Sequence, residues 1–270
     1  MTSATLTKEL LEDASAHRLI LRVAPRRLSA LIAGPEGVER SVLFHSEELA
    51  DGSVRSLENA IYDNPLLLSD FSTVDIIFST PELFLAPEGT EELHEAMADA
   101  MLPDSDAPRR VLACPFGEEG TVCYTVNADI HNFLTRTFTC ARFHHALAID
   151  ARALAALSRP DGAATTYALC EGEGEMAVAS FGADGRVRYL NRPRPLTTAD
   201  CAYYLLAATA ESEPLTIGAA DPELQGAVSE TLRKVRPDAR IMPLALDPEL
   251  LYLRRTAPQA TFDMIFLTQQ

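Results

Sequence analysis

Period-two alternation dominates the start of the chain. In His17 to Ala33, HRLILRVAPRRLSALIA, Leu19, Leu21 and Val23 alternate with Arg22, and Leu28, Ala30 and Ile32 follow with the same period. Successive strand side chains point to opposite faces, so this pattern predicts two short strands turning at Ala24-Pro25-Arg26-Arg27. Gly34-Pro35-Glu36-Gly37 is a turn signal, and Arg40 to Ser46 supplies a third strand. The predicted opening is therefore a three-stranded antiparallel meander. Residues 1–16 read as a frayed leader with one helical turn.

The period then changes. Val54, Leu57 and Ile61 have helical spacing between Ser53 and Leu66. Thr73 to Ser79 is an apolar, β-branched run that predicts a buried strand, and Leu83 to Pro87 is a short edge-like segment. Thr90 to Met101 starts with a capping Thr and an acidic first turn, as a helix start prefers. Arg109 to Cys114 and Thr121 to Val126 predict a hairpin around Gly117-Glu118-Glu119-Gly120. Asn127 to Phe138 is a helix with Ile130, Phe133, Leu134 and Phe138 on one face. Ala141 to Ala148 is a further strand, and Asp150 caps a short helix to Leu157. Arg159-Pro160-Asp161-Gly162 reads as a linker.

A second meander follows, with strands near 165–170, 175–181 and 186–191 and turns at Glu171-Gly172-Glu173-Gly174 and Ala183-Asp184-Gly185. Thr197 to Ala210 is a helix that Thr198 can cap. Pro214 to Gly218 is a strand, Asp221 to Val235 a helix, Ala239 to Met242 a strand, Asp247 to Leu253 a helical turn or two, and Phe262 to Leu267 a closing strand. Each half thus runs from a meander into alternating helices and strands. This is a repeat of topology rather than of residues.

Composition narrows the partners. The chain has 270 residues, enough for two packed lobes, and a formal net charge of −16. Such a field repels phosphates, so no nucleic acid is expected, and a basic protein segment or peptide is the favoured partner. No apolar run approaches the ~20 residues of a membrane span, so no membrane insertion is expected. The five cysteines have no Cys-x-x-Cys spacing and mostly sit in apolar runs, the usage of a reducing compartment. Together with an N-terminus lacking a signal core, this predicts a cytoplasmic protein.

The segments LRVAPRRLSALIAG, ARFHHAL, YALCEGEGEMAVASF and TTADCAYYLLA resemble an uncharacterised bacterial family of the Bacteroidales type, domain of unknown function 3822. They are similar more broadly to the actin-like ATPase and ribonuclease H-like superfamily. The resemblance implies an α/β fold of two tandem ribonuclease H-like lobes, residues 17–150 and 163–270. Each lobe would hold a five-stranded mixed sheet flanked by helices. It also resembles actin-like scaffolds of pilus and secretion platforms that bind a partner's peptide.

The same resemblance implies where a nucleotide site would lie. Active relatives carry an Asp-x-Gly turn after the first strand; here Arg22-Val23-Ala24 stands at that place, and Pro25 removes a backbone donor. The second phosphate turn resembles Asp-x-Gly-x-Gly and reads Cys170-Glu171-Gly172-Glu173-Gly174. The adenosine turn keeps one glycine, Gly218. The nucleotide-site positions are thus Arg22, Ala24, Gly172, Gly174 and Gly218, in degenerate form. Magnesium needs oxygen ligands, and both expected carboxylates are missing. No cofactor is expected, with ATP and magnesium disfavoured because Glu171 and Glu173 would repel a phosphate; weak nucleotide binding stays open.

Other groups carry less. His144 and His145 are adjacent on a strand and point to opposite faces, which predicts one exposed and one packed imidazole. Asp13, Asp75, Asp150 and Asp200 read as caps or turn acids. Arg22, Arg26, Arg27 and Arg40, and Arg186, Arg188, Arg192 and Arg194, read as solvated strand faces. Cys170 is the candidate nucleophile, but two neighbouring acids would raise its pKa. The expected function is a non-catalytic scaffold or protein-binding module. The alternative is a sugar-kinase-like enzyme or ATPase with displaced acids, and a third reading is a homodimer through an exposed strand.

Overall fold

The computed structural model describes residues 6–7, 10–35, 41–103, 107–117, 120–157, 163–171, 174–210 and 213–270. Gly172, Glu173, Arg40 and the linker at 159–162 lie outside the described residues.

The first sheet is built from β1 (Arg18–Ala24), β2 (Arg27–Ala33), β3 (Val42–Glu48), β4 (Thr73–Phe78) and, after an insertion, β8 (Arg142–His145). Its order is β3-β2-β1-β4-β8. The meander β1–β3 is antiparallel, whereas β4 and β8 run parallel to β1. Helix α1 (Val54–Tyr62) and a 3-10 turn at Pro65–Leu68 connect β3 to β4. The insertion holds β5 (Leu83–Ala86), α2 (Glu91–Met101), β6 (Arg109–Pro115), β7 (Thr121–Asn127) and α3 (Ala128–Thr137). Its three strands form a separate antiparallel sheet of order β5-β7-β6.

The second half repeats the plan. After α4 (Ala146–Ala156) come β9 (Thr165–Cys170), β10 (Met176–Phe181) and β11 (Val187–Asn191), then α5 (Thr198–Ala208), β12 (Leu215–Ala219), α6 (Pro222–Val235) and β13 (Ile241–Pro243). The order β11-β10-β9-β12-β13 mirrors the first sheet, with β12 and β13 parallel to β9. Helices α7 (Pro248–Thr256) and α8 (Phe262–Leu267) follow, and α8 packs back on α4 and β1.

Side-chain alternation explains the core. Tyr167, Leu169, Ala177, Ala179 and Phe181 project from one face of the second sheet into the core they share with the first sheet, α4 and α8. Ala168, Cys170, Met176 and Val178 project from the other face onto α5 and α6.

Several elements differ from the sequence reading. The closing strand at 262–267 is a helix. Its six residues are buried throughout, and a short apolar run buried all round carries no period to separate the two states. The strand at 141–148 ends at His145, whose ring caps α4 by accepting from Leu147 N–H at 3.2 Å. Asp150 therefore lies inside that helix rather than at its start. Thr197, not Thr198, caps α5, in a reciprocal capping box with Asp200. Leu6 is buried and takes Asn64 Oδ1 on its N–H at 2.8 Å, so the leader is docked at that point.

Candidate functional site

The ends of β1 and β9, Glu175 just ahead of β10 and the segment leading into α8 line a cleft of about 820 Å³. Arg22, Ala24, Arg27, Ser29, Ser46, Glu47 and Glu48 face it from the first sheet. Glu171, Glu175, Ala220, Asp221, Arg254 and 258–261 face it from the other side.

Arg22 decides its chemistry. The residue is 3% exposed, because every β1 position from Leu19 to Ala24 is covered on both sheet faces. Its Nε donates to Asp263 at 2.9 Å, and one Nη donates to Ser79 Oγ at 3.0 Å and to Glu175. Arg192, just past β11, donates to Asp150 at 2.8 Å and to Glu175 at 3.1 Å, and stands 3.5 Å from Asp263. Two guanidiniums thus share Glu175 and Asp263 between the halves. Both arginines, expected on solvated faces, are buried because these carboxylates satisfy them.

The charges balance. Burial opposes the ionised form of Asp263, but Arg22 and Arg192 outweigh it and hold the carboxyl below its usual range. The same opposition, with the same winners, lowers Glu175. Burial raises Asp150 well above the usual carboxylate range despite Arg192. Burial, with Asp263 nearby, pushes Glu171 up to about 7, against the pull of Phe262 N–H, which donates to Glu171 Oε1 at 2.6 Å. Two cations therefore meet two carboxylates, while the third and fourth acids are kept toward neutrality.

The predicted positions are only partly brought together. Arg22 and Ala24 line the cleft; Gly174 and Gly218 do not. Gly174 has φ +74°, and a Cβ there would stand 2.8 Å from Pro195 O. At Gly218 a Cβ would stand 2.8 Å from Leu244 Cδ2 and 3.1 Å from Phe262 Cζ, so the missing side chain makes room for packing. Cys170 is buried, and its hydrogen bond with Cys201, together with burial, raises its pKa. Asp263, Glu175, Asp150 and Arg192 went unread as a group because their partners lie up to 241 residues away in sequence. Arg254 was also missed: it donates to Ala220 O at 2.6 Å and stands 4.7 Å over the Phe262 ring.

The acids at 75 and 150, read as caps, are buried and accept hydrogen bonds from Arg142 and Arg192 respectively. Of the histidine pair, His145 is packed; His144 is half-buried against Asp75 rather than free in solvent. Among the described residues, no group of three His, Cys, Asp or Glu side chains is placed to hold a metal ion. No helix among them is long and apolar enough to cross a membrane.

A family model described as protein of unknown function, DUF3822, matches residues 8–215. The chain belongs to this family. No curated protein matches it. A solved Bacteroides thetaiotaomicron protein with an actin-like ATPase fold and unknown function superposes with TM-score 0.75 at 16% identity, over 95% of this chain and 97% of that one. That likeness, with the paired five-stranded sheets, establishes the actin-like ATPase fold for this DUF3822 member. An Arthrobacter polyphosphate/ATP-glucomannokinase aligns at TM-score 0.47 and 11% identity, over 94% of this chain and 100% of that one. The ethanolamine utilization protein EutJ from Carboxydothermus hydrogenoformans aligns at 0.45 and 8%, over 84% of each.

Proposed function

We propose that this protein is a non-catalytic binding scaffold whose cleft takes a basic peptide segment of a partner. The observation that carries this is the Arg22 network. Where the resemblance expects a phosphate-contacting acid, a buried guanidinium is already neutralised by Glu175 and Asp263. A triphosphate entering there would have to break a compensated buried ion network, and Glu171 offers it no cation. Breaking such a pair by displacing one partner costs about 3–5 kcal/mol.

The rest of the cleft favours positive charge. Glu47, Glu48 and Asp221 outnumber Arg27 on its wall, and Arg254 is engaged by the backbone carbonyls of Ala219 and Ala220. Lysine or arginine side chains of an extended peptide complement this wall, with an association that weakens as salt rises.

The test has two arms. A labelled oligolysine peptide should bind by fluorescence anisotropy and weaken about ten-fold when Glu48→Gln and Asp221→Asn are combined, a loss of about 1.4 kcal/mol. Melting with Mg-ATP should show no magnesium-dependent rise. A rise would overturn the scaffold reading in favour of an ATPase with displaced acids, and peptide binding indifferent to the double substitution would remove the cleft as the site.

A further inference from the structure

β9 ends at Cys170, which projects onto α5 and α6. With a period of two, the next side chain, Glu171, turns toward the face shared with α8. Its N–H donates to Glu175 O at 2.9 Å, which closes the chain behind it, and its Oε1 accepts from Phe262 N–H at 2.6 Å. The residue is 8% exposed and lines the cleft of about 820 Å³. Among the described residues, Glu171 Oε2 has no hydrogen-bond partner and neither oxygen has an ion pair.

The neighbouring cations are already committed. Arg22 is bonded to Asp263 and Glu175, and Arg192 to Asp150 and Glu175. Arg254 gives its donors to the carbonyls of Ala219, Ala220 and Ala260. Asp263, Glu175 and Asp150 thus share the two buried guanidiniums, and Glu171 is the acid left over. A buried carboxyl beside another carboxylate, supported by one neutral N–H, holds its proton more tightly than it does in water. A cation brought to its free oxygen reverses that balance, because a paired charge is less costly to bury than a lone one.

We propose that Glu171 accepts one lysine or arginine side chain of the partner segment and releases its proton as the segment binds, an assignment that rests on the cleft being the site of a basic peptide. The carboxylic acid gives its proton to the buffer, and the carboxylate accepts from the ammonium or guanidinium N–H. Glu47, Glu48 and Asp221 supply the flanking charges of the wall. Glu171 thereby ties the hold on the segment to pH.

The pH response depends on every charged or titratable group around Glu171. These are Asp263 from α8, Arg254 from α7, Arg192 just past β11, Asp150 from α4 and the adjacent Cys170. Arg22, Arg27, Glu175 and Asp221 line the same cleft. Burial and Asp263 push the Glu171 carboxyl up to about 7, against the pull of Phe262 N–H, Arg254 and Arg192. Above that pH the cleft already presents the carboxylate. Below it the segment must first displace a proton, so affinity should rise about ten-fold from pH 6 to pH 8.

The test titrates the full chain into a labelled, N-acetylated oligolysine peptide and reads fluorescence anisotropy from pH 6 to 8, a range in which lysine stays charged. The wild type should show the ten-fold rise. Glu171→Gln, which keeps an acceptor for Phe262 N–H, should lose the rise and bind throughout no more tightly than the wild type at pH 6. His45, 3.5 Å from Glu47, is present in both proteins, so their difference isolates Glu171. Calorimetry of the wild type at pH 7, in buffers of different ionisation enthalpy, should count about half a proton released per peptide. A flat wild-type profile, a rise that survives in Glu171→Gln, or binding without proton release would overturn the role of Glu171. Combining Glu48→Gln with Asp221→Asn separates the two readings. If that pair weakens binding while the wild-type profile is flat, the cleft stands and the role of Glu171 falls; if it changes nothing, the peptide is not in the cleft and both fall.

Discussion

Arg22 and Glu171 show what a single side chain's surroundings do to its chemistry. Arg22 holds two carboxylates in a buried site, so Arg22→Met leaves Asp263 and Glu175 undercompensated. The expected loss is about 3–5 kcal/mol in denaturant unfolding, and a smaller loss when Asp263→Asn is added. Glu171 is raised in the folded protein, so the native state keeps a proton that the unfolded chain has released. Its contribution is favourable below about pH 4.5 and is lost as pH rises to about 7. Glu171→Gln retains an acceptor for Phe262 N–H. The variant should gain on the wild type by up to about 3 kcal/mol between those pH values, measured by urea unfolding across the range. A difference that stays flat with pH would show that Glu171 is not buried as a proton carrier.

Helix α8 and strand β12 meet through Gly218, and there the elements constrain each other. A methyl at this position would stand 2.8 Å from Leu244 and 3.1 Å from Phe262, so Gly218→Ala should destabilise by about 1–3 kcal/mol through overpacking, read as a lowered melting temperature. Phe262→Ala, which opens a cavity beneath Arg254, should cost about 3–5 kcal/mol. The glycine, expected as the remnant of an adenosine turn, has in the fold a packing duty that its local sequence does not display. The meanders were legible because alternation survives burial. β1, β2, β9 and β10 fall where the pattern put them, and the turn before β11 is where Ala183-Asp184-Gly185 signalled it. Helix α8 was not, because FDMIFL is buried on every side and a fully buried segment has no amphipathic period to read.

On the scale of the molecule, the two five-stranded sheets are tied together by α4, α8 and the network of Arg22, Arg192, Glu175 and Asp263. Removing Arg192 should loosen this junction more than either sheet. Arg192→Met is expected to raise amide exchange in α8 and at the end of β1 while the centres of β4 and β9 stay protected, measured by hydrogen–deuterium exchange mass spectrometry. Equal acceleration everywhere would mean global destabilisation instead. The sequence by itself determined the repeated order of meander, helix and strand, and the residue types Arg22-Val23-Ala24 at the end of the first strand. Those features are written in local alternation and in residue type. The tertiary structure decided which partners these residues meet. Arg22 meets Asp263 across 241 residues, and Asp75 meets His144 across 69. Such pairings arise only when sheets and helices close on one another, since no local period records which distant carboxylate or imidazole a buried side chain will face.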